Sequence, residues 1–200
     1  MVKKILLSEN AIEEVFEKSQ KAAKEKCGIN PIEEFFSKNP LNTDPIVVAA
    51  KIALVDITYS TFIARYKKKI QLCDIVKIII NIKDFDKRVA NGDPRLVSEI
   101  AEKCQEIGVN LFSFASKYCC LHNFYIYQKD DYSIYDSRVE KHLPLYATKS
   151  LPVTSRQISK WKNNCDYKSF NDYIGNLLNE FNINIPHKRR AFDLFLWYAK

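Results

Sequence analysis

Glycine is scarce in this chain of 200 residues: there are four, Gly28, Gly92, Gly108 and Gly175, and they never cluster. A loop that cradles nucleotide phosphates needs clustered glycines, so that class of site is excluded. Sandwiches and barrels also draw on glycine for their turns, so the scarcity favours helices. No run of about 18 apolar residues occurs, which leaves nothing to span a membrane. The opening Met-Val-Lys-Lys-Ile-Leu-Leu-Ser turns polar too soon for a secretory signal. The six cysteines, Cys27, Cys73, Cys104, Cys119, Cys120 and Cys165, contain no CxxC pair. A disulfide framework is not expected without a secretion signal, and the expectation is a cytoplasmic protein with reduced, mostly buried thiols. Cys119, Cys120 and His122 sit close together, but adjacent cysteines point to different faces of a helix, so they read as core. No metal set is apparent, and no cofactor is expected.

What is present is apolar and aromatic. Hydrophobic residues make up 46% of the chain, with 12 Phe, 11 Tyr and 2 Trp, which is too apolar for disorder. The length suffices for one sizeable core or for two small lobes around a cleft. With 31 Lys and Arg against 24 Asp and Glu, the net charge of +7 suits a polyanionic partner.

Apolar spacing and cap residues read as a series of helices. Ser8 caps a first helix over residues 8–25, closed by Gly28 and Pro31, and a short helix follows over Pro31–Ser37. Asp44-Pro45 starts an almost wholly apolar helix reaching about Arg65, the best candidate for a central buried helix. The β-branched run Ile70–Ile82 reads as strand or helix, and helix is favoured because a lone strand has no partner. Further helices are expected from Pro94 to Glu106, over Leu111–Leu121, over Ser137–Leu143, over Ser155–Lys162 behind Thr154, over Tyr167–Phe181 and over Pro186–Ala199. Lys141–Pro152 is the expected hinge or loop. The fold class is all-α, a single domain of two helical lobes over residues 1–200.

One segment carries a chemical signal. Lys117 lies near the start of an apolar helix with Phe112, Phe114, Ala115, Tyr118 and Leu121, and nineteen residues on Asp136 precedes Ser137-Arg138-Val139. A lysine among such neighbours is partly desolvated, which lowers its pKa and makes it a nucleophile. Asp136 has the residue type of an N-cap, worth about 1 kcal/mol. A carboxylate near the lysine accepts its proton and stabilises a developing cation.

Ser113-Phe114-Ala115-Ser116-Lys117 and Ile134-Tyr135-Asp136-Ser137-Arg138-Val139 resemble the helix-hairpin-helix DNA glycosylases, in particular bacterial proteins similar to 8-oxoguanine DNA glycosylase. The resemblance covers about 30 residues directly. It implies two helical lobes around a cleft, a helix-hairpin-helix, and excision of an oxidised purine from double-stranded DNA. Lys117 would attack the sugar C1′ and Asp136 would be its partner, with strand cleavage possible through a Schiff base. Ser113 and Ser116 would fall in the hairpin and contact phosphate. The family's hairpin carries glycines where this chain has Ser113-Phe114-Ala115, and Gly108 lies earlier. The four-cysteine motif of one branch is absent, so no iron–sulfur cluster is expected.

Other basic residues fit phosphates or solvated faces. Lys67, Lys68 and Lys69 follow Arg65, and Lys188-Arg189-Arg190 opens the last helix. Arg138, Lys141 and His142 follow Asp136, where contact with DNA is expected. Tyr125, Tyr127, Tyr132 and Tyr135 either stack on a base or pack against the second lobe. Phe192, Phe195, Leu196 and Trp197 read as core. Two rival readings stand beside the enzyme. One is a non-catalytic nucleic-acid-binding module on the same fold, and the other is a helical interaction protein that never meets DNA.

Overall fold

A computed structural model describes residues 6–27 and 30–198, with side chains at 6–21 and 30–198; Gly28 and Ala199, invoked above as helix ends, lie outside the described residues. The described chain is all-α, without strands. In order it forms α1 (Glu9–Cys27), α2 (Pro31–Lys38), α3 (Pro45–Tyr59), α4 (Leu72–Ile80), α5 (Phe85–Ala90), α6 (Pro94–Glu106), α7 (Phe112–Tyr127), α8 (Ser137–His142), α9 (Ser155–Asn163), α10 (Tyr167–Glu180) and α11 (Lys188–Tyr198). Short 3-10 turns occupy Ile63–Tyr66 and Leu143–Tyr146. Among the described residues no helix is long and apolar enough to cross a membrane.

Caps fix most of the starts. The Asp44 carboxylate accepts the Ile46 N–H at 2.7 Å, Asp93 accepts that of Arg95 at 2.9 Å, and Thr154 accepts that of Gln157 at 3.2 Å. The β-branched isoleucine run is the helix α4. Asp74 reaches back to the Gln71 N–H at 2.9 Å, and Ile75, Val76, Ile78 and Ile79 are buried.

Two expectations about buried helices change. The helix from Pro45 does not reach Arg65. It stops at Tyr59, with Ser60 at φ 50° and Phe62 at φ 57°. The Asp56 side chain causes the stop: it accepts the Thr61 hydroxyl and, at 3.0 Å, the Ile63 N–H, offering the chain an alternative to the helix ladder. A phenylalanine in the left-handed region costs about 1–3 kcal/mol. Nor is α3 the central helix, since Ile46 and Ile57 are 81% and 80% exposed. The centre is α7, with 12 of its 16 residues buried, packed against α2, α3, α5 and α6. It runs on to Tyr127, six residues past the expected end, and α5 had no sequence signal.

The buried apolar side chains form one continuous cluster. α1 packs along α11, and α10 joins α6, α9 and α11. α11 starts on a borrowed cap: Asp130, from the loop after α7, accepts the Arg189 and Arg190 N–H groups at 2.6 and 3.0 Å. The 141–152 segment is a helix end, a 3-10 turn with Leu143 and Tyr146 buried, and a loop. Tyr173 ties that loop down by donating to the Leu151 carbonyl at 3.0 Å.

Candidate active site

Three pieces of chain meet at a cleft of about 200 Å³. The C-terminal end of α3 brings Tyr59 and Ser60, the segment before α8 brings Ile134 and Asp136, and α11 brings Arg190, Asp193 and Trp197. Lys117, from α7, lies behind this wall at 3% exposure. Its Nζ is 4.0 Å from Asp136 Oδ2 and donates to the Tyr59 carbonyl at 3.1 Å. Burial pulls the Lys117 pKa down, against the attraction of Asp136. The amine is thus held between a carboxylate and the carbonyl end of a helix.

Asp136 is tied on three sides. Its Oδ1 caps α8, accepting the Arg138 and Val139 N–H groups at 2.8 and 2.9 Å, and its Oδ2 accepts the Trp197 indole N–H at 2.7 Å. Ser116, next to Lys117 in the chain, accepts the Tyr135 N–H at 3.0 Å, and Ser113, one helix turn before Lys117, donates to the Tyr135 carbonyl at 2.9 Å. These bonds fix the segment that carries Asp136 to the helix that carries Lys117.

A second ion pair completes the charge set. Arg190 pairs with Asp193 and donates to the Tyr59 hydroxyl at 2.8 Å. Burial pushes the Asp193 carboxyl up to about 7, against the pull of Arg190. Arg190 Nε and Asp193 Oδ1 are buried without a hydrogen-bond partner. Such atoms are costly unless something satisfies them. Both residues line the cleft, although these two atoms are themselves covered.

Lys117 and Asp136 are therefore 4.0 Å apart, with Asp136 on the cleft and Lys117 buried behind it. Ser113 and Ser116 are placed differently. They lie inside α7 and not in a hairpin, Ser116 is fully buried, and their hydroxyls are spent on Tyr135, so phosphate contact through them is corrected. The turn that joins α6 to α7 is residues 107–111, with the exposed Gly108 at φ 89°. Gly108 is thus in the interhelical turn and not too early for it. Arg138 is half-buried with its guanidinium 5.2 Å from the Trp197 ring centre, Lys141 is exposed on α8, and Lys67 and Lys68 are exposed beyond the 3-10 turn at 63–66. Arg190 is buried, so the basic run at the start of α11 is not one solvated or phosphate-facing patch.

The four tyrosines resolve toward packing. Tyr125, Tyr132 and Tyr135 are buried, and Tyr132 and Tyr135 donate to the Asp93 carbonyl at 3.0 Å and the Glu140 carboxylate at 2.7 Å. Tyr127 donates to the Asp86 carbonyl at 3.2 Å. Cys119 and Cys120 are buried, as expected of core residues. Trp197 departs from the core reading: it is 39% exposed and faces the cleft. Sequence reasoning also missed Tyr59, Arg190 and Asp193 as site residues. An Arg and an Asp three apart on one helix are the only signal for that pair. Among the described residues no group of three or more His, Cys, Asp or Glu is arranged to hold a metal.

Residues 5–130 match the family model HI_0787_N, described as an N-terminal domain. A relative from Haemophilus influenzae, described as an uncharacterized protein, is 36% identical over 126 residues, which are 62% of this chain and 54% of that relative. The chain thus spans about half the length of the curated relative it matches. No solved structure matches.

Proposed function

The chain belongs to the HI_0787_N family, and we propose that it is a DNA glycosylase of the helix-hairpin-helix kind, acting on an oxidised purine in double-stranded DNA. The observation that carries this reading is the buried Lys117 amine 4.0 Å from Asp136 beside a cleft. Lys117 lies inside the family match and Asp136 beyond it.

The roles follow from the contacts. A damaged base leaves the stack and enters the cleft, at a cost of a few kcal/mol. The neutral Lys117 amine forms a bond to C1′ as the bond from C1′ to the base nitrogen breaks. The base leaves with the electron pair and takes up a proton. Asp136 receives the proton that the new Lys117–C1′ linkage sheds and stabilises positive charge on the sugar. Opening of the sugar ring leaves a Schiff base on Lys117, from which β-elimination cuts the strand. α6, the 107–111 turn and α7 take the part of the helix-hairpin-helix, with open space at Gly108 for a phosphate to approach.

Borohydride trapping on a duplex containing 8-oxoguanine tests the reading. The wild type is expected to form a covalent protein–DNA adduct. Lys117→Gln is expected to form none while still binding the duplex. Failure of the wild type to form an adduct across a panel of oxidised-purine duplexes removes the nucleophile assignment and leaves the non-catalytic binding module.

A further inference from the structure

The loop between α3 and α4 has features that packing does not explain. Phe62 is 49% exposed although its backbone is held in the left-handed region at φ 57°. The Arg65 guanidinium lies 4.0 Å from the centre of its ring. Tyr66 is 39% exposed, and Lys67, Lys68 and Lys69 follow, all exposed. The Asp56 carboxylate braces the loop through Thr61 and Ile63, so the aromatic is displayed on a fixed support. Ser60, two residues before Phe62, lines the cleft, and the carbonyl of Tyr59 receives the Lys117 amine.

We infer that residues 60–69 are a nucleic-acid contact, in which the Phe62 ring stacks on a base and Lys67 and Lys68 hold phosphates. The inference rests on the reading of the cleft as one for DNA and adds a second point of contact at its rim. Charge complementarity supports this partner: four cations, Arg65, Lys67, Lys68 and Lys69, fall within five residues, with two exposed rings among or beside them. Aromatic stacking beside a basic track is how sequence-tolerant contacts to nucleic acid are made. A lipid surface fits less well. Anchoring on membrane needs an apolar helical face, whereas here a guanidinium lies over one face of the ring and the loop has one 3-10 turn. The strain at Phe62 fits a placement kept for contact, since a buried aromatic has no need of it.

The test uses the full chain and a duplex with a stable abasic-site analogue, with binding measured over a range of salt and borohydride trapping run in parallel on a lesion duplex. Phe62→Ala is expected to weaken binding by about tenfold, within the range for loss of one stacked base, with the salt dependence unchanged. Phe62→Trp is expected to restore it, which separates stacking from misfolding. Lys67→Gln with Lys68→Gln is expected to reduce the slope of log affinity against log salt by about 2. Wild-type affinity in Phe62→Ala overturns the stacking role, and an unchanged slope in the lysine variant overturns the phosphate role. If trapping succeeds while all loop variants bind normally, the loop inference falls and the glycosylase reading stands. If the loop variants weaken binding while trapping is blank, the loop inference stands alone. Binding of anionic phosphatidylserine vesicles without binding of the duplex overturns it in favour of a membrane.

Discussion

Asp136 divides its two oxygens between a helix cap and the side facing Lys117. Oδ1 serves the first turn of α8, while Oδ2 meets Trp197 and faces Lys117. Asparagine caps a helix about as well as aspartate, and alanine loses about 1 kcal/mol of cap. Asp136→Asn keeps the cap but turns an amide N–H toward the Trp197 indole N–H, and Asp136→Ala loses the cap, so both are expected to lose activity and to unfold at lower denaturant than the wild type. Wild-type stability in both variants shows that these contacts contribute little. The residue type was readable from sequence, because an aspartate before Ser-Arg-Val is a cap wherever it sits. The division of its oxygens was not, since Trp197 approaches from 61 residues away.

α7 carries both the amine and the device that places its partner. Ser116 accepts from the buried Tyr135 N–H, and the loop that ends in Asp136 hangs on that bond and on Ser113. Ser116→Ala leaves the Tyr135 N–H buried and unpaired, at a cost of about 1–3 kcal/mol. The variant is expected to unfold at lower denaturant and to form adduct more slowly, while Ser113→Ala, whose hydroxyl is a donor to an already usable carbonyl, changes less. Equal effects of the two variants count against this placement role. Most helices were legible because proline and capping residues mark their starts: Asp44, Asp136 and Thr154 cap as expected, and Asp93 caps the helix that opens at Pro94. Ends were less legible. Asp56 turns the chain after Tyr59 through its side chain, and an apolar run gives no sign of that. The apolar content of α3 also misled, because composition reports what is hydrophobic and not which face is covered. At the cleft, Lys117 and Asp136 were visible as a local pattern, while Arg190, Asp193 and Trp197 arrive through the packing of α11.

Across the whole molecule, burial of charge sets a pH dependence away from the cleft. Lys51 has no exposure, and its Nζ donates to the Leu41 carbonyl and meets His122 Nε2, each at 3.0 Å. Burial lowers its pKa from 10.5 to about 8. Below pH 8 folded and unfolded chains are both protonated, and the folded state bears the full cost of the buried charge. Between about 8 and 10.5 the unfolded chain alone keeps the proton, so this group's contribution to stability rises with pH. Wild type minus Lys51→Met isolates that contribution: the difference in unfolding free energy is expected to shift toward the wild type across the window. A difference that stays flat from pH 8 to 10.5 rules it out. At α11 two elements are coupled through a cap. Its first turn depends on Asp130, so the loop after α7 and the helix that walls the cleft gain order or lose it together. A carboxylate 60 residues before Arg190 thus seats one end of the wall, and damage to the loop after α7 is felt in the cleft although no residue lining it has changed.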